Sequence, residues 1–312
     1  MWAPRSLKAL MASCSEVQLQ STNFLGGARS GGMKGGPTFG GKGRMFAIDD
    51  NQSKRHNMTD STIALPRTVL VTGGGRGIGA ATSWLAAQRG WAVAVNYTHG
   101  TAAAQEMAAR IRHAGGTALA VQADVSDESQ VIAMFEAIDA ELPPLGALVN
   151  NAGVVDAQTR IDAITQPRLQ RIFAINVFGT FICAREAIKR MSTVHGGSGG
   201  FIVNLSSGAA RIGAPGQYVD YAAAKGAIDV FTLGLAKEVA LEGIRVNAVR
   251  PGVITTEIHA SGGNPERAQQ MAPMVPMQRA GSAEECAEAI LWLMSDASSY
   301  TTGAVIDVTG GR

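Results

Sequence analysis

The sequence is poor in the features that would place it in several functional classes. Only three cysteines occur in 312 residues, Cys14, Cys183 and Cys286. Their spacing makes no pair and no metal motif, which argues against a disulfide scaffold or a thiolate metal site and suits a reducing compartment. No apolar run reaches the roughly 18–20 residues needed to cross a bilayer. Charged residues make up 17% of the chain and the net charge is only +2, so the overall balance points to neither nucleic acid nor an anionic membrane. Aromatic residues reach only 5%. Those near the N-terminus, Trp2, Phe24, Phe39 and Phe46, are scattered, whereas a surface that stacks on bases interleaves them with its cations.

Apolar side chains are plentiful at 46%, enough for a sizeable core. Residues 1–57 differ from the rest: eight Lys and Arg stand against three acids, a local +5 that leaves the remainder mildly acidic. The stretch LGGARSGGMKGGPTFGGKGR (25–44) has no apolar period and is expected to be disordered, because it cannot bury enough surface to offset its ordering entropy. It lacks a signal-peptide core. Being basic and poor in acids, it also fits an organellar transit peptide; a start at Met58 is the alternative. The expected organisation is an extension over 1–57 followed by one domain over 58–312.

From Arg67 onward short apolar runs alternate with amphipathic stretches. Strands are expected at 68–72, 92–96, 117–122, 147–150, 201–205, 245–249 and 304–308, with helices near 78–89, 101–113, 128–140, 168–192, 219–242 and 283–294. Strands so uniformly apolar must be covered on both faces. The alternation predicts a single α/β domain, doubly wound and Rossmann-type, around a mostly parallel seven-stranded sheet.

The first strand runs into TGGGRGIG (72–79) and then a helix. A helix N-terminus offers unpaired N–H groups and the positive end of a dipole, and glycine lets backbone approach a phosphate closely. Gly73, Gly77 and Gly79 are therefore candidate phosphate-binding positions, although their spacing is not the six-residue dinucleotide fingerprint. The second strand ends in VAVNYTHG, with Asn96 where an acid would select NAD through the ribose 2′-hydroxyl. Arg76 offers a guanidinium to a 2′-phosphate, with His99 as a possible aid. NADP(H) is the expected cofactor, with NAD(H) the alternative.

In YVDYAAAK (218–225), Tyr221 and Lys225 lie four apart, on one face of a helix, whereas Tyr218 is about two turns from the lysine. A free phenol titrates near 10, and a nearby ammonium favours its charged form.

Together with NNAG (150–153), the asparagine of FAINVFG (Asn176), the serines of NLSSGAA (204–210) and RPGVITT (250–256), these motifs resemble the short-chain dehydrogenase/reductase family over essentially all of 65–312. The resemblance implies interconversion of a carbonyl and a secondary alcohol. Tyr221 would be the general acid/base and Lys225 its charged partner and a ligand of the nicotinamide ribose. A serine would polarise the carbonyl, Ser207 preferred and Ser206 the alternative, and Asn176 would hold a water in a proton path. Ile78 would join the phosphate turn, Asp124 and Val125 would meet the adenine, and Asn151 and Gly153 would line the adenosine side. Pro251, Gly252, Ile254 and Thr256 would carry the nicotinamide carboxamide. The likeness is to 3-oxoacyl-carrier-protein reductases and glucose 1-dehydrogenases, and implies a cytoplasmic homotetramer acting on a small molecule through interfaces at 168–192 and 219–242. A non-catalytic nucleotide sensor, and a nucleic-acid binder using the basic tail, are the rival classes. Residues 259–281, rich in Gly, Pro and Met, are the expected substrate lid, where Arg279 is either an anion contact or a solvated charge.

Overall fold

Seven runs of β-branched and aliphatic residues form one sheet in which every neighbouring pair is parallel. The structure, a computed structural model, describes residues 67–312; the extension expected over 1–57 and the alternative start at Met58 lie outside them. The strands are β1 (Thr68–Val71), β2 (Ala92–Tyr97), β3 (Ala118–Gln122), β4 (Leu145–Asn150), β5 (Gly200–Leu205), β6 (Ile244–Pro251) and β7 (Val305–Val308). Their order in space is β3-β2-β1-β4-β5-β6-β7.

Successive strand residues point to opposite faces, so each strand feeds two cores. Leu70 packs in one core, while its neighbours Val69 and Val71 pack in the other. The first core is covered by α3 (Glu128–Glu141), α5 (Gly179–Met191) and α7 (Val219–Val239), through Phe135, Met191 and Leu235 among others. The second is covered by α1 (Gly77–Gln88), α2 (Thr101–His113) and α10 (Ala283–Leu293), through Ala86, Ile111 and Ile290. Between these lie α4 (Gln166–Phe173), α6 (Ala209–Ile212), α8 (Ile258–Ser261) and α9 (Arg267–Met271). Cys183 and Cys286 are buried, and burial pushes both thiols up to about 12; they are packing residues.

The strand order reverses direction between β1 and β4. In a doubly wound sheet the crevice beyond the strand C-termini at that point is where ligands sit. The connections there are β1 to α1, β4 to α4, β5 to α7 and β6 to α8, the same four segments that carry the sequence motifs.

The glycine turn after β1 is shaped by close packing. Gly73 and Gly77 have φ of +61° and +51°, which disfavours a side chain. At Gly79 the limit is contact: a Cβ there would stand 2.3 Å from the Gly73 carbonyl oxygen and 2.5 Å from Asn151 Nδ2. Gly79→Ala should therefore lower Tm by several degrees, consistent with an overpacking cost of about 1–3 kcal/mol, and weaken nucleotide binding. Thermal unfolding with and without nucleotide checks both.

Candidate active site

The crevice is a single cleft of about 490 Å3 that runs from the glycine turn to Tyr218 and the segment 253–267. At its phosphate end, the backbone of the turn is fixed from two sides, by Asn151 and by Asn96. Asn151 Nδ2 donates to the carbonyls of Thr72 (2.8 Å) and Gly73 (3.1 Å), and the Asn151 backbone N–H donates to Thr72 Oγ1 at 3.0 Å. From β2, Asn96 Oδ1 accepts the Gly73 N–H at 3.2 Å. Arg76, exposed just before α1, carries its guanidinium on the cleft wall beside Gly77 and Ile78.

Asn96 is where sequence and structure part. It is buried to 1% exposure and spends its amide on Gly73 and, through Nδ2, on the Ala123 carbonyl at 3.1 Å. It does not reach the cleft. Strand β2 extends one residue further than its apolar pattern, to Tyr97, so the strand-end positions that face the cleft are Tyr97, Thr98 and His99. An N–Y–T–H run after an apolar strand carries a signal for this only once the strand's end is known to within one residue.

Beside them, after the paired strand β3, Asp124 and Val125 line the cleft, and Asp124 Oδ1 is held by the Ser126 N–H and hydroxyl at 2.9 and 2.7 Å. Gly153 lines it as well, and a Cβ there would meet Asn176 Oδ1 at 2.8 Å. Pro251, Gly252, Ile254 and Thr256 form the edge after β6. Gly252 is crowded by Thr309, whose Cα would lie 2.7 Å from an added Cβ. Thr256 packs back on Gly77, so the two ends of the cleft's rim touch. This lining, with a helix N-terminus, free backbone N–H groups and one guanidinium at one end and an apolar chamber at the other, fits a nicotinamide dinucleotide lying across the switch point.

At the far end, α7 places Tyr221 and Lys225 one turn apart, and Lys225 Nζ stands 5.6 Å from the Tyr221 ring centre. Ser207 lies just beyond β5 on the same cleft wall as Tyr221, and its hydroxyl accepts the Ala209 N–H at 3.1 Å. Ser207 and Ser206 face differently, as strand alternation predicts. Ser206 is buried, and its hydroxyl donates to the Lys225 carbonyl at 3.3 Å. Lys225 is 3% exposed and donates from Nζ to the Leu205 carbonyl at 2.6 Å.

Asn176 sits in a π turn, Ala174–Phe178, inserted between α4 and α5, which the sequence pattern reads as one continuous helix. π turns of this kind occur preferentially at functional positions. The side chain is fully buried. Its Oδ1 accepts the Val154 N–H at 3.1 Å, and its Nδ2 donates to the carbonyls of Val154 (3.0 Å) and Ile172 (2.9 Å). The amide is thus committed to holding the loop that leaves Gly153, with no donor left over for a water.

The electrostatics follow from burial. The Tyr221 phenol is pushed up to about 12 by desolvation, with the Ser207 hydroxyl pulling the other way. Lys225 is itself pushed down to about 8 by burial, with Asp229 opposing from the next turn of α7. Arg279 is not an anion site: both its terminal nitrogens bond Glu285, at 2.8 and 2.6 Å.

A depressed lysine leaves a signature in stability. Above about pH 8 the folded chain releases the Lys225 proton, while the unfolded chain keeps it up to the ordinary lysine value. The unfolded state then binds more protons, so this residue's contribution to stability rises with pH through that window. Lys225→Met should remove the rise. Urea unfolding of both proteins between pH 7.5 and 10 checks it.

Comparison with known proteins adds the family. A family model described as "Enoyl-(Acyl carrier protein) reductase" matches residues 73–312. The "Uncharacterized oxidoreductase YgfF" of Escherichia coli is 58% identical over 243 residues, covering 78% of this chain and 98% of that protein. A "3-oxoacyl-[acyl-carrier-protein] reductase" of Synechocystis is 36% identical over 254 residues, 80% of this chain and 98% of that one. Among solved structures, a short-chain type dehydrogenase/reductase from Mycobacterium marinum superposes with a TM-score of 0.73 at 35% identity, covering 78% of this chain and 94% of that one. With the seven-stranded parallel sheet and a cleft at its switch point, these matches show that the chain belongs to the short-chain dehydrogenase/reductase family of oxidoreductases.

Proposed function

We propose that this protein is an NADP(H)-preferring oxidoreductase that interconverts a carbonyl and a secondary alcohol, of the 3-oxoacyl thioester reductase kind. The observation that carries the reading is that Ser207, Tyr221 and a buried Lys225, its ammonium 5.6 Å from the Tyr221 ring centre, meet at one end of a dinucleotide-sized cleft. When bound, the nicotinamide supplies or takes up the hydride. Tyr221, whose phenol carries its proton at neutral pH, donates the proton that the carbonyl oxygen takes as it becomes a hydroxyl. Ser207 offers that oxygen a second hydrogen bond, and Lys225 stabilises the phenolate left behind. Asn176 holds the Gly153–Val154 wall in place. Gly73, Arg76, Gly77, Ile78, Asp124, Val125, Asn151, Gly153, Pro251, Gly252, Ile254 and Thr256 are the proposed cofactor contacts, joined by Thr98 and His99 at the strand end; Gly79 and Asn96 act by shaping the phosphate turn.

The preference for NADP(H) rests on Arg76 and on the absence of any acid among Tyr97, Thr98 and His99. A glucose 1-dehydrogenase-like activity is the alternative within the same chemistry. The matched family description favours a second reading, reduction of a carbon–carbon double bond in an enoyl thioester. A cytoplasmic homotetramer is part of the proposal. It is supported by apolar side chains that α7 and the π-turn/α5 segment leave exposed, Phe178 and Val230 above all, at 59% and 73%. Among the described residues no helix is long and apolar enough to cross a membrane.

Two outcomes are expected. Tyr221→Phe should abolish NADPH oxidation with an acetoacetyl thioester or a simple ketone while leaving NADPH binding intact, and Tyr218→Phe should cost much less. The loss of absorbance at 340 nm and NADPH fluorescence titration check this; a Tyr221→Phe enzyme with near-wild-type rates contradicts the mechanism. Arg76→Ala should weaken NADPH binding by about tenfold or more, the scale of one charge-assisted contact, with little change for NADH. Equal losses for both cofactors contradict the assignment.

A further inference from the structure

The chamber around Tyr221 is apolar on nearly every side. Val155, Ala214, Tyr218 and Ala222 form a cluster, with Ala209 and Ile258 packed against it beside the Tyr221 ring. Arg267, at the start of α9 in the segment that follows the cleft's edge, lies with its guanidinium 5.3 Å from the Tyr218 ring centre. Its terminal nitrogen donates to Gln217 Oε1 at 2.7 Å. Arg267 is half-buried and lines the cleft.

What separates this arginine from its neighbours is its lack of a counter-charge. Arg171, on the same cleft, is paired with Asp156 at 2.9 Å. Arg168 is paired with Asp220, Arg211 with Asp307, and Arg279 with Glu285. Among the described residues Arg267 has no carboxylate within salt-bridge distance; its partner is a neutral amide. His259, half-buried nearby, is held below its ordinary value, first by burial and also by the Arg267 charge, and its Nε2 bonds the Ile254 carbonyl at 2.8 Å. It adds no cation at neutral pH. The chamber is thus a small, mostly apolar space with the proposed proton donor and its buried lysine on one side and the unpaired Arg267 guanidinium on the other. A half-buried guanidinium without a carboxylate gains most from an anionic ligand, and its planar fork matches a carboxylate.

We propose that the substrate is a compact oxo acid or hydroxy acid whose carboxylate seats on Arg267, with a short aliphatic or alicyclic body in the Val155–Ala214–Tyr218 chamber presenting its carbonyl or hydroxyl to Tyr221. The body is short because Tyr218, at the cap of α7, and Tyr221, in its first turn, share one small apolar cluster, and Arg267 lies over the Tyr218 ring. A single guanidinium suits a monoanion. Gln217 serves as the group that holds the guanidinium in place until the carboxylate arrives.

The inference rests on the carbonyl–alcohol reading above, replaces its thioester with a free acid as the preferred substrate, and its test separates the two. Wild-type protein, Arg267→Gln and Arg267→Lys are assayed as full chains with NADPH on 4-oxopentanoate and 5-oxohexanoate and on their methyl esters. The wild type should prefer the acids by about tenfold in kcat/KM, carried by KM, as expected for one charge-assisted pair. Arg267→Gln should erase that preference, and Arg267→Lys should keep part of it. In parallel, binding of hexanoate and of hexanamide to the NADP+-loaded proteins is measured by calorimetry, with no turnover involved. Hexanoate should bind wild type more tightly than hexanamide, and Arg267→Gln should make the two alike.

If Arg267 merely latches the segment onto Gln217 and Tyr218, the substitution lowers acid and ester rates equally and leaves no difference between hexanoate and hexanamide, which overturns the inference. Selective, Arg267-dependent hexanoate binding without turnover of any carbonyl would sink the carbonyl–alcohol reading and leave the anion site standing. Equal binding of hexanoate and hexanamide by the wild type overturns the site whatever the turnover.

Discussion

A buried ammonium is the constraint around which the site is organised. Lys225 has 3% exposure and a single polar contact from its nitrogen, the Leu205 carbonyl at 2.6 Å. Removing a charge from water is costly unless dipoles and counter-charges replace the solvent. The replacement comes from the C-terminal edge of the sheet. β5 ends so that one carbonyl points at the ammonium, the Tyr221 ring lies alongside it, and Asp229 stands one turn further along α7. The protein keeps a titratable group at an unfavourable depth, and at active sites such expense is usual.

The counter-charge is itself anchored. Asp229 accepts from Arg250 on β6 at 2.9 Å, Arg250 reaches Asp307 on β7, and Asp307 pairs with Arg211 on α6 at 2.6 Å. This chain of alternating charges ties α7, two strands and the segment after Ser207 into one frame. The other oxygen of Asp229 is buried with no hydrogen-bond partner among the described residues, so the carboxylate is not fully neutralised by its guanidinium. Part of its field is left to act on Lys225, which is the direction in which Asp229 shifts that lysine. On the other side, Asn176 and Asn151 perform the matching task with neutral groups, one bracing Val154 and the other the glycine turn.

Much of this was legible in the sequence, for physical reasons that differ from element to element. Strands buried on both faces must be apolar throughout, so all seven could be placed to within a few residues. The Tyr221–Lys225 spacing identifies a shared helix face, and the glycines of the turn mark positions where a side chain does not fit. Strand order was not legible, because it depends on which helices pack on which face. The role of Asn96 was misread through an error of one residue at a strand end: β2 continues to Tyr97, and that step turns the Asn96 amide inward and brings Tyr97, Thr98 and His99 to the cleft. The π turn at Asn176 left no trace in the apolar pattern, since a single inserted residue is absorbed within a helix of otherwise good formers. The choice between Ser206 and Ser207 needed coordinates, because both lie where strand gives way to loop. Arg267 was invisible as a candidate: nothing in the lid sequence distinguishes it from Arg279, and only the position of Glu285 does.

The central claim is that this cleft moves a hydride to a carbonyl carbon while Tyr221 supplies the proton to its oxygen. The most direct measurement follows the hydride itself. NADPH deuterated at the transferring C4 position is incubated with the protein and, in parallel reactions, a 3-oxo thioester and its enoyl counterpart, and the products are read by mass spectrometry and NMR. The account predicts one deuterium on the carbinol carbon of a 3-hydroxy product and no saturation of the double bond. Deuterium at the β-carbon of a saturated thioester, with the carbonyl compound unchanged, would contradict it.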